Sequence, residues 1–193
     1  AMGATIGIFM GIWSGFLGGR WDNIIMRIAD VLFSFPSLLL AIFVMAVLGE
    51  NTYNVVIAIG IVYIPQFARI SRGSIIALKS SEFIRAAKSN GAGRTYILFR
   101  HLLPNILSPI IVQISLSLSV AILLESALSF LGLGVQPPAP SWGNMLSSAR
   151  KVMVLAPWTA IYPGLAIVTL VLGFNLLGDG LRDILDPRLR NVR

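Results

Sequence analysis

LLPNILSPIIVQISLSLSVAILLESALSFL, residues 102–131, is the stretch whose reading decides the fold. Its only charged residue is Glu125, and it contains neither a β-strand alternation nor a long polar break. A helix crossing a bilayer core of about 30 Å needs roughly 20 mostly apolar residues, and this run exceeds that length. Four more segments come near it: residues 3–19, 24–48 (most apolar after Asp30), 53–70 and 157–177. Composition agrees. Mean hydropathy is +0.83 and 56% of residues are hydrophobic. Only 12% are charged, against about a quarter in soluble domains. The expected fold is therefore all-α, a polytopic transmembrane bundle of about five spans, forming one domain over residues 1–193.

Charge placement orients the bundle. Lysines and arginines concentrate in cytoplasmic loops, because they resist export. If the polar stretch 71–100 is cytoplasmic, alternation puts 13 of the 15 basic residues inside and leaves only Arg150 and Lys151 outside. The opposite orientation would export 13. The same placement accounts for the net charge of +7 without invoking nucleic acid. It leaves an external loop at about 132–156 and a charged cytoplasmic tail at 179–193. Ala1 then lies outside, with no basic leader or cleavage site before the first apolar segment, which leads us to expect a further helix upstream.

Several function classes find no support. There is no cysteine, so no thiolate metal site or disulfide framework. One histidine, His101, cannot build a metal centre alone, and a loop or interface role is the simpler reading. The stretch GSIIALKS (residues 73–80) superficially resembles a phosphate-binding loop, but Leu78 stands where a glycine must precede the lysine. No Ser/His/Asp or Cys/His arrangement suggests catalysis, so the chain reads as non-enzymatic.

Within the spans, Gly3, Gly7, Gly11, Gly15 and Gly19 recur every four residues. That period gathers them on one helical face, where a second backbone can approach closely. Ser108, Ser115, Ser119 and Ser126, at spacings of seven, four and seven, form a polar stripe on the fourth segment, with Gln113 off it. Such a stripe turns away from lipid, either to line a water-filled path or to hydrogen-bond a neighbouring helix. Glu125 lies 21 residues beyond Pro104, about 32 Å along a helix, which puts it near the outer interface. Pairing or capping there competes with substrate contact. Asp30 lies three residues after Arg27, the spacing of a local ion pair. Pro36, Pro65, Pro109 and Pro163 fall inside spans, where proline removes a hydrogen bond and kinks the helix.

The cytoplasmic stretch reads SEFIRAAKSNGAGRTYILFRHLLPN, residues 81–105. Residues 81–88 suit a short helix, Asn90-Gly91 a turn with positive φ, and a second helix from about Thr95 leads into Pro104. The short helix is either a docking element or an amphipathic connector resting on the bilayer.

This loop resembles the EAA loop of bacterial ABC importer permeases, whose pattern is E-A-A, three residues, G, nine residues, I-x-L-P. Ala86, Ala87, Gly91, Leu103 and Pro104 match it, while Arg85 stands for the glutamate and His101 for the isoleucine. DVLFSFPSLLLAI (30–42), ESALSFLGLGVQPPAPSWGNML (125–146) and FNLLGDGLRDILDPRLR (174–190) are similar to the same dipeptide, oligopeptide and nickel subgroup, C-type subunit. Members usually have six helices, so five fit the loss of the first. The resemblance implies a type I importer permease in a bacterial or archaeal cytoplasmic membrane. It pairs with a second permease subunit and works with two cytoplasmic ABC ATPases and an extracellular or periplasmic substrate-binding protein. ATP and Mg would sit on the ATPases, with no cofactor on this chain. The loop, about residues 71–101, would couple ATPase closure to alternating access, docking through Glu82, Phe83, Arg85, Ala86, Ala87 and Gly91. A translocation path could include Ser108, Ser115, Ser119 and Glu125. Di- or oligopeptides are the implied substrate, with nickel complexes, glutathione or an oligosaccharide as alternatives. A self-contained channel or secondary transporter is the competing class, and it requires midplane acids or broken helices.

Overall fold

The computed structural model describes residues 2–185, and all regular elements among them are helical. The chain begins with α1 (Met2–Leu17). Gly18, at φ 69°, then redirects it into α2 (Gly19–Phe33). After α3 (Ser37–Leu48), Gly49 takes φ 85° and lets the chain reverse tightly into α4 (Thr52–Lys79). Two side chains fix that reversal. Asn51 caps α4 by accepting a 2.9 Å hydrogen bond from the Tyr53 N–H. Asn54 Nδ2 donates to the Leu48 and Gly49 carbonyls that α3 leaves open.

α4 has 28 residues, about 42 Å, so it outruns the bilayer core and carries its last turns beyond it. α5 (Glu82–Ser89) follows after a two-residue break. Then come α6 (Arg94–Tyr96), a π-helical turn (Ile97–Leu102) and α7 (Leu103–Phe130), which run on as one 37-residue helix. Pro104 stands in the first turn of α7, where a missing N–H is tolerated. The wide turn before it is where the regular i to i−4 ladder is interrupted. α8 (Trp142–Ala149) lies inside the 132–156 connection, and α9 (Trp158–Leu185) closes the described chain.

The glycine ridge explains the largest helix contact. A Cβ added at Gly3, Gly7 or Gly11 would lie 2.0, 2.4 or 2.2 Å from the carbonyl oxygen of Gly60, Ile64 or Ala68 on α4. At Gly15 it would meet Ile75 at 3.0 Å. The partners rise along α4 in step with α1, so the two helices run parallel with backbones nearly touching. Gly19 is not part of this ridge. It has φ 60°, stands at the start of α2, and no atom lies within 4 Å of a Cβ built on it. The four-residue period ends because α1 ends at Leu17.

The second expected span is also revised. Residues 24–48 are not one helix but two, α2 and α3, bent by 92°. Pro36 offers no N–H and biases Phe35 away from helical backbone. α2 closes when the Ser34 N–H bonds the Asp30 and Val31 carbonyls, and α3 restarts with Leu40 N–H to Pro36 O. Three helical runs are long and apolar enough to cross a membrane, Thr52–Lys79, Arg94–Phe130 and Trp158–Leu185, with the bent pair as a fourth if counted together. α1 is apolar but has only 16 residues, so of the five expected segments three or four reach crossing length and α1 is a shorter apolar helix.

Two apolar clusters hold the bundle. One joins α3, α4 and α7 through Ala41, Met45, Val55, Ala58, Leu124 and Leu128. The other joins the far ends of α4 and α7 to the loop through Ile75, Ile84, Ile97, Leu102, Ile106 and Ile110. Of the tail expected at 179–193, residues 179–185 belong to α9 and 186–193 lie outside the described residues.

Candidate functional site

α5 is anchored by one side chain and presents the rest. Ile84 is fully buried in the cluster formed by Ile75, Ile97, Leu102 and Ile106, a burial contributing about 2 kcal/mol. Around it, Glu82, Phe83, Arg85 and Ala86 are exposed and Ala87 is half-buried. Phe83 lies tilted against the His101 ring at 6.3 Å between centroids, and Tyr96 meets that ring edge-on at 5.6 Å. His101 therefore packs with two aromatic rings of the loop, and no group of three or more potential metal-binding side chains occurs among the described residues.

The turn after α5 is built on Gly91, whose φ is 79°. The Ala92 N–H bonds the Ala87 carbonyl and the Gly91 N–H bonds the Lys88 carbonyl, each at 3.0 Å. This pair of bonds is a Schellman cap, and it requires a left-handed residue at that position. Ala92 then packs on the same cluster as Ile84. Leu103 joins that cluster and Pro104 starts α7. The matched loop residues thus frame a short helix seated where α4 and α7 meet.

Most of the serine stripe on α7 faces α9. Ser108 Oγ donates to the Leu185 carbonyl at 3.0 Å, and Ser119 Oγ to the Val171 carbonyl at 3.2 Å, both on α9. Ser115 Oγ bonds back to Ile111 O, and its Cβ lies 3.4 Å from where a Gly178 Cβ would be. These small residues let α9 approach α7. Glu125 accepts a 2.6 Å hydrogen bond from Ser129 Oγ, which also accepts from the Val135 N–H, so it braces the start of the 132–156 connection. None of these four lines the groove bounded by α2–α3, α4 and α7, and their hydrogen bonds place them at helix contacts instead.

That groove, about 570 Å³, opens between the bent α2–α3 pair, α4 and α7. Its polar lining includes Tyr63, Gln66, Gln113 and Ser117, set among leucines and phenylalanines, with no charged residue lining it among the described residues. Gln113 Nε2 donates to Ser117 Oγ at 3.1 Å. The Tyr63 hydroxyl is buried with no hydrogen-bond partner. Gln113 is five residues from Ser108, about 140° round the helix. The groove therefore takes the opposite side of α7 from α9. Gln113 was visible in the sequence as a polar residue off the stripe, but Gln66 and Tyr63 carried no periodic signal.

The ion pairs were also beyond sequence reading. Asp30 binds Arg69 at 2.7 Å, not Arg27. Asp22 takes Arg72 in a two-pronged pair at 2.5 and 2.7 Å, and Ser14 also donates to it. Lys79 Nζ donates at 3.1 Å to the Gly15 and Phe16 carbonyls, capping α1. Together these lock the α1–α2 corner onto the lower end of α4.

Residues 7–191 match the family described as binding-protein-dependent transport system inner membrane component. The chain belongs to this family. Among curated proteins, this inner membrane component is 52% identical over 190 residues to the glutathione transport system permease protein GsiD of Pectobacterium atrosepticum. It is 50% identical over 190 residues to the dipeptide transport system permease protein DppC of Alkalihalophilus pseudofirmus. Both alignments cover 98% of this chain but only 63% and 61% of those relatives, so the inner membrane component described here spans less than two thirds of their length.

Proposed function

We propose that this chain is the pore-forming part of an ATP-driven, binding-protein-dependent importer of short peptides, and that it performs no catalysis itself. The observation that carries the reading is α5: an eight-residue helix, exposed on three sides, fixed by Ile84 where α4 and α7 meet. A force applied to such a helix reaches α4 and α7 together. An ABC ATPase gripping Phe83, Arg85, Ala86 and Ala87 would therefore move the walls of the groove as a unit. ATP and Mg belong to the ATPases, and a second permease subunit supplies the facing wall. A substrate-binding protein delivers from the outside of a bacterial cytoplasmic membrane.

The groove suits an amide-rich cargo. Gln66, Gln113, Ser117 and Tyr63 offer donors and acceptors to peptide groups within an apolar lining. The relatives are named for dipeptide and for glutathione, both short peptides. A lining without charge gives no support to ion-coupled transport through midplane acids.

Co-purification of the complete transporter tests the docking assignment. Ala87→Glu puts a charge where the partner should approach closely, and Gly91→Val forces a β-branched residue into positive φ. Both should lose the ATPase subunits while leaving the permease pair assembled. Retention of the ATPases by both variants would move the contact elsewhere. Uptake of labelled dipeptide and of glutathione into proteoliposomes then distinguishes the cargo, and accumulation of neither would overturn the peptide reading.

A further inference from the structure

The bend between α2 and α3 raises the question of where α2 runs. Its two aspartates answer part of it. Asp22 and Asp30 are eight residues apart, about 12 Å along α2, yet their partners Arg72 and Arg69 are three residues apart, within one turn of α4. A helix running alongside α4 would meet partners eight residues apart. α2 therefore crosses α4 at one level, near the end of the third apolar segment, at the side where basic residues concentrate.

Its surface is divided in a matching way. Trp21, Ile24, Ile28 and Val31 form an exposed apolar stripe. Asp22 and Ala29 lie on the face turned to the bundle. Arg20 and Arg27 are exposed at the edge of the stripe, and neither forms an ion pair among the described residues, since both aspartates are held by α4. A helix with an apolar stripe ending in tryptophan, bordered by unpaired arginines, is built for a membrane surface.

We propose that α2 lies flat in the cytoplasmic leaflet rather than crossing it, and that Arg20 and Arg27 bind the phosphates of anionic phospholipids. The stripe would sit among the upper acyl chains, with the guanidinium groups at headgroup level. The ion pairs with Arg69 and Arg72 would then fix this surface helix to the cytoplasmic end of α4. The inference depends on the charge-based orientation and not on what the protein transports.

The test uses the complete transporter, with other cysteines replaced, in nanodiscs of phosphatidylcholine alone or mixed with phosphatidylglycerol. Because this chain has no cysteine, spin labels at W21C, I24C, I28C and V31C report only α2. All four labels should collide freely with oxygen and share one depth near the headgroups. Depth advancing by about 5 Å from one label to the next would show a crossing helix and overturn the proposal. Labels shielded from lipid-dissolved oxygen would show a protein partner on the stripe, and equally overturn it. For the lipid, native mass spectrometry of R20Q and R27Q should lose roughly fivefold in retained phosphatidylglycerol for each arginine, with phosphatidylcholine unchanged. R20K and R27K should keep it. Equal retention by the glutamine variants would remove the headgroup assignment.

Discussion

Asp22 and Arg72 do the most at the scale of single residues. Their two-pronged contact is the geometry in which a guanidinium and a carboxylate bond best, and it lies in a half-buried corner shared with Ser14. Removing either partner leaves the other charge poorly solvated. Asp22→Asn and Arg72→Gln should each cost about 1–2 kcal/mol, and the double variant less than their sum. Thermal unfolding of the detergent-purified transporter measures the cycle. Strict additivity would mean that the pair contributes nothing beyond its separate surroundings. The more exposed Asp30–Arg69 pair should show a smaller coupling, since solvent screens it. Neither pair could be read from the sequence. Asp30 has Arg27 at a favourable helical spacing, and only the approach of α4, 39 residues on, supplies a better partner.

Among the elements, α1 and α4 show how little freedom close packing leaves. A methyl group at Gly7 would fall 2.4 Å from the Ile64 carbonyl oxygen and 2.8 Å from Phe67 Cβ. Backbone cannot yield as a side-chain end can, so α1 must shift as a whole. Gly7→Ala and Gly11→Ala should each destabilise the purified transporter by about 1–3 kcal/mol. Gly164→Ala on α9 is the control. It has no neighbour within 4 Å of the new carbon, and should be neutral or stabilise by up to about 1 kcal/mol. Similar melting shifts in all three would refute the ridge. The ridge was legible because a four-residue period is a local property of the helix. Gly19 shared the period by position alone. No pattern within α1 reveals that the chain turns at Gly18.

For the whole molecule, the groove between the bent pair, α4 and α7 makes the sharpest functional prediction. Gln113→Leu keeps a side chain of similar size while removing both hydrogen-bonding groups. Peptide uptake by the reconstituted transporter should fall by about an order of magnitude, the scale of one lost hydrogen bond. Ser115→Ala, on the α9 side, should change uptake little, and stability by no more than about 1 kcal/mol. Reversal of that order would restore the serine stripe as the path. The sequence puts four serines on one stripe of α7 and Gln113 off it, and only the position of α9 shows which of these faces is packed. What the sequence determined by itself was whatever repeats along one helix or is enforced by solvent. Apolar length, the glycine period and the loop helix with its Gly91 turn all belong there. The tertiary structure decided which helix meets which face, where Pro36 turns the chain through 92°, and which arginines the aspartates choose. Those outcomes depend on groups brought together from 39 and 50 residues apart, and no local periodicity encodes an encounter at that range.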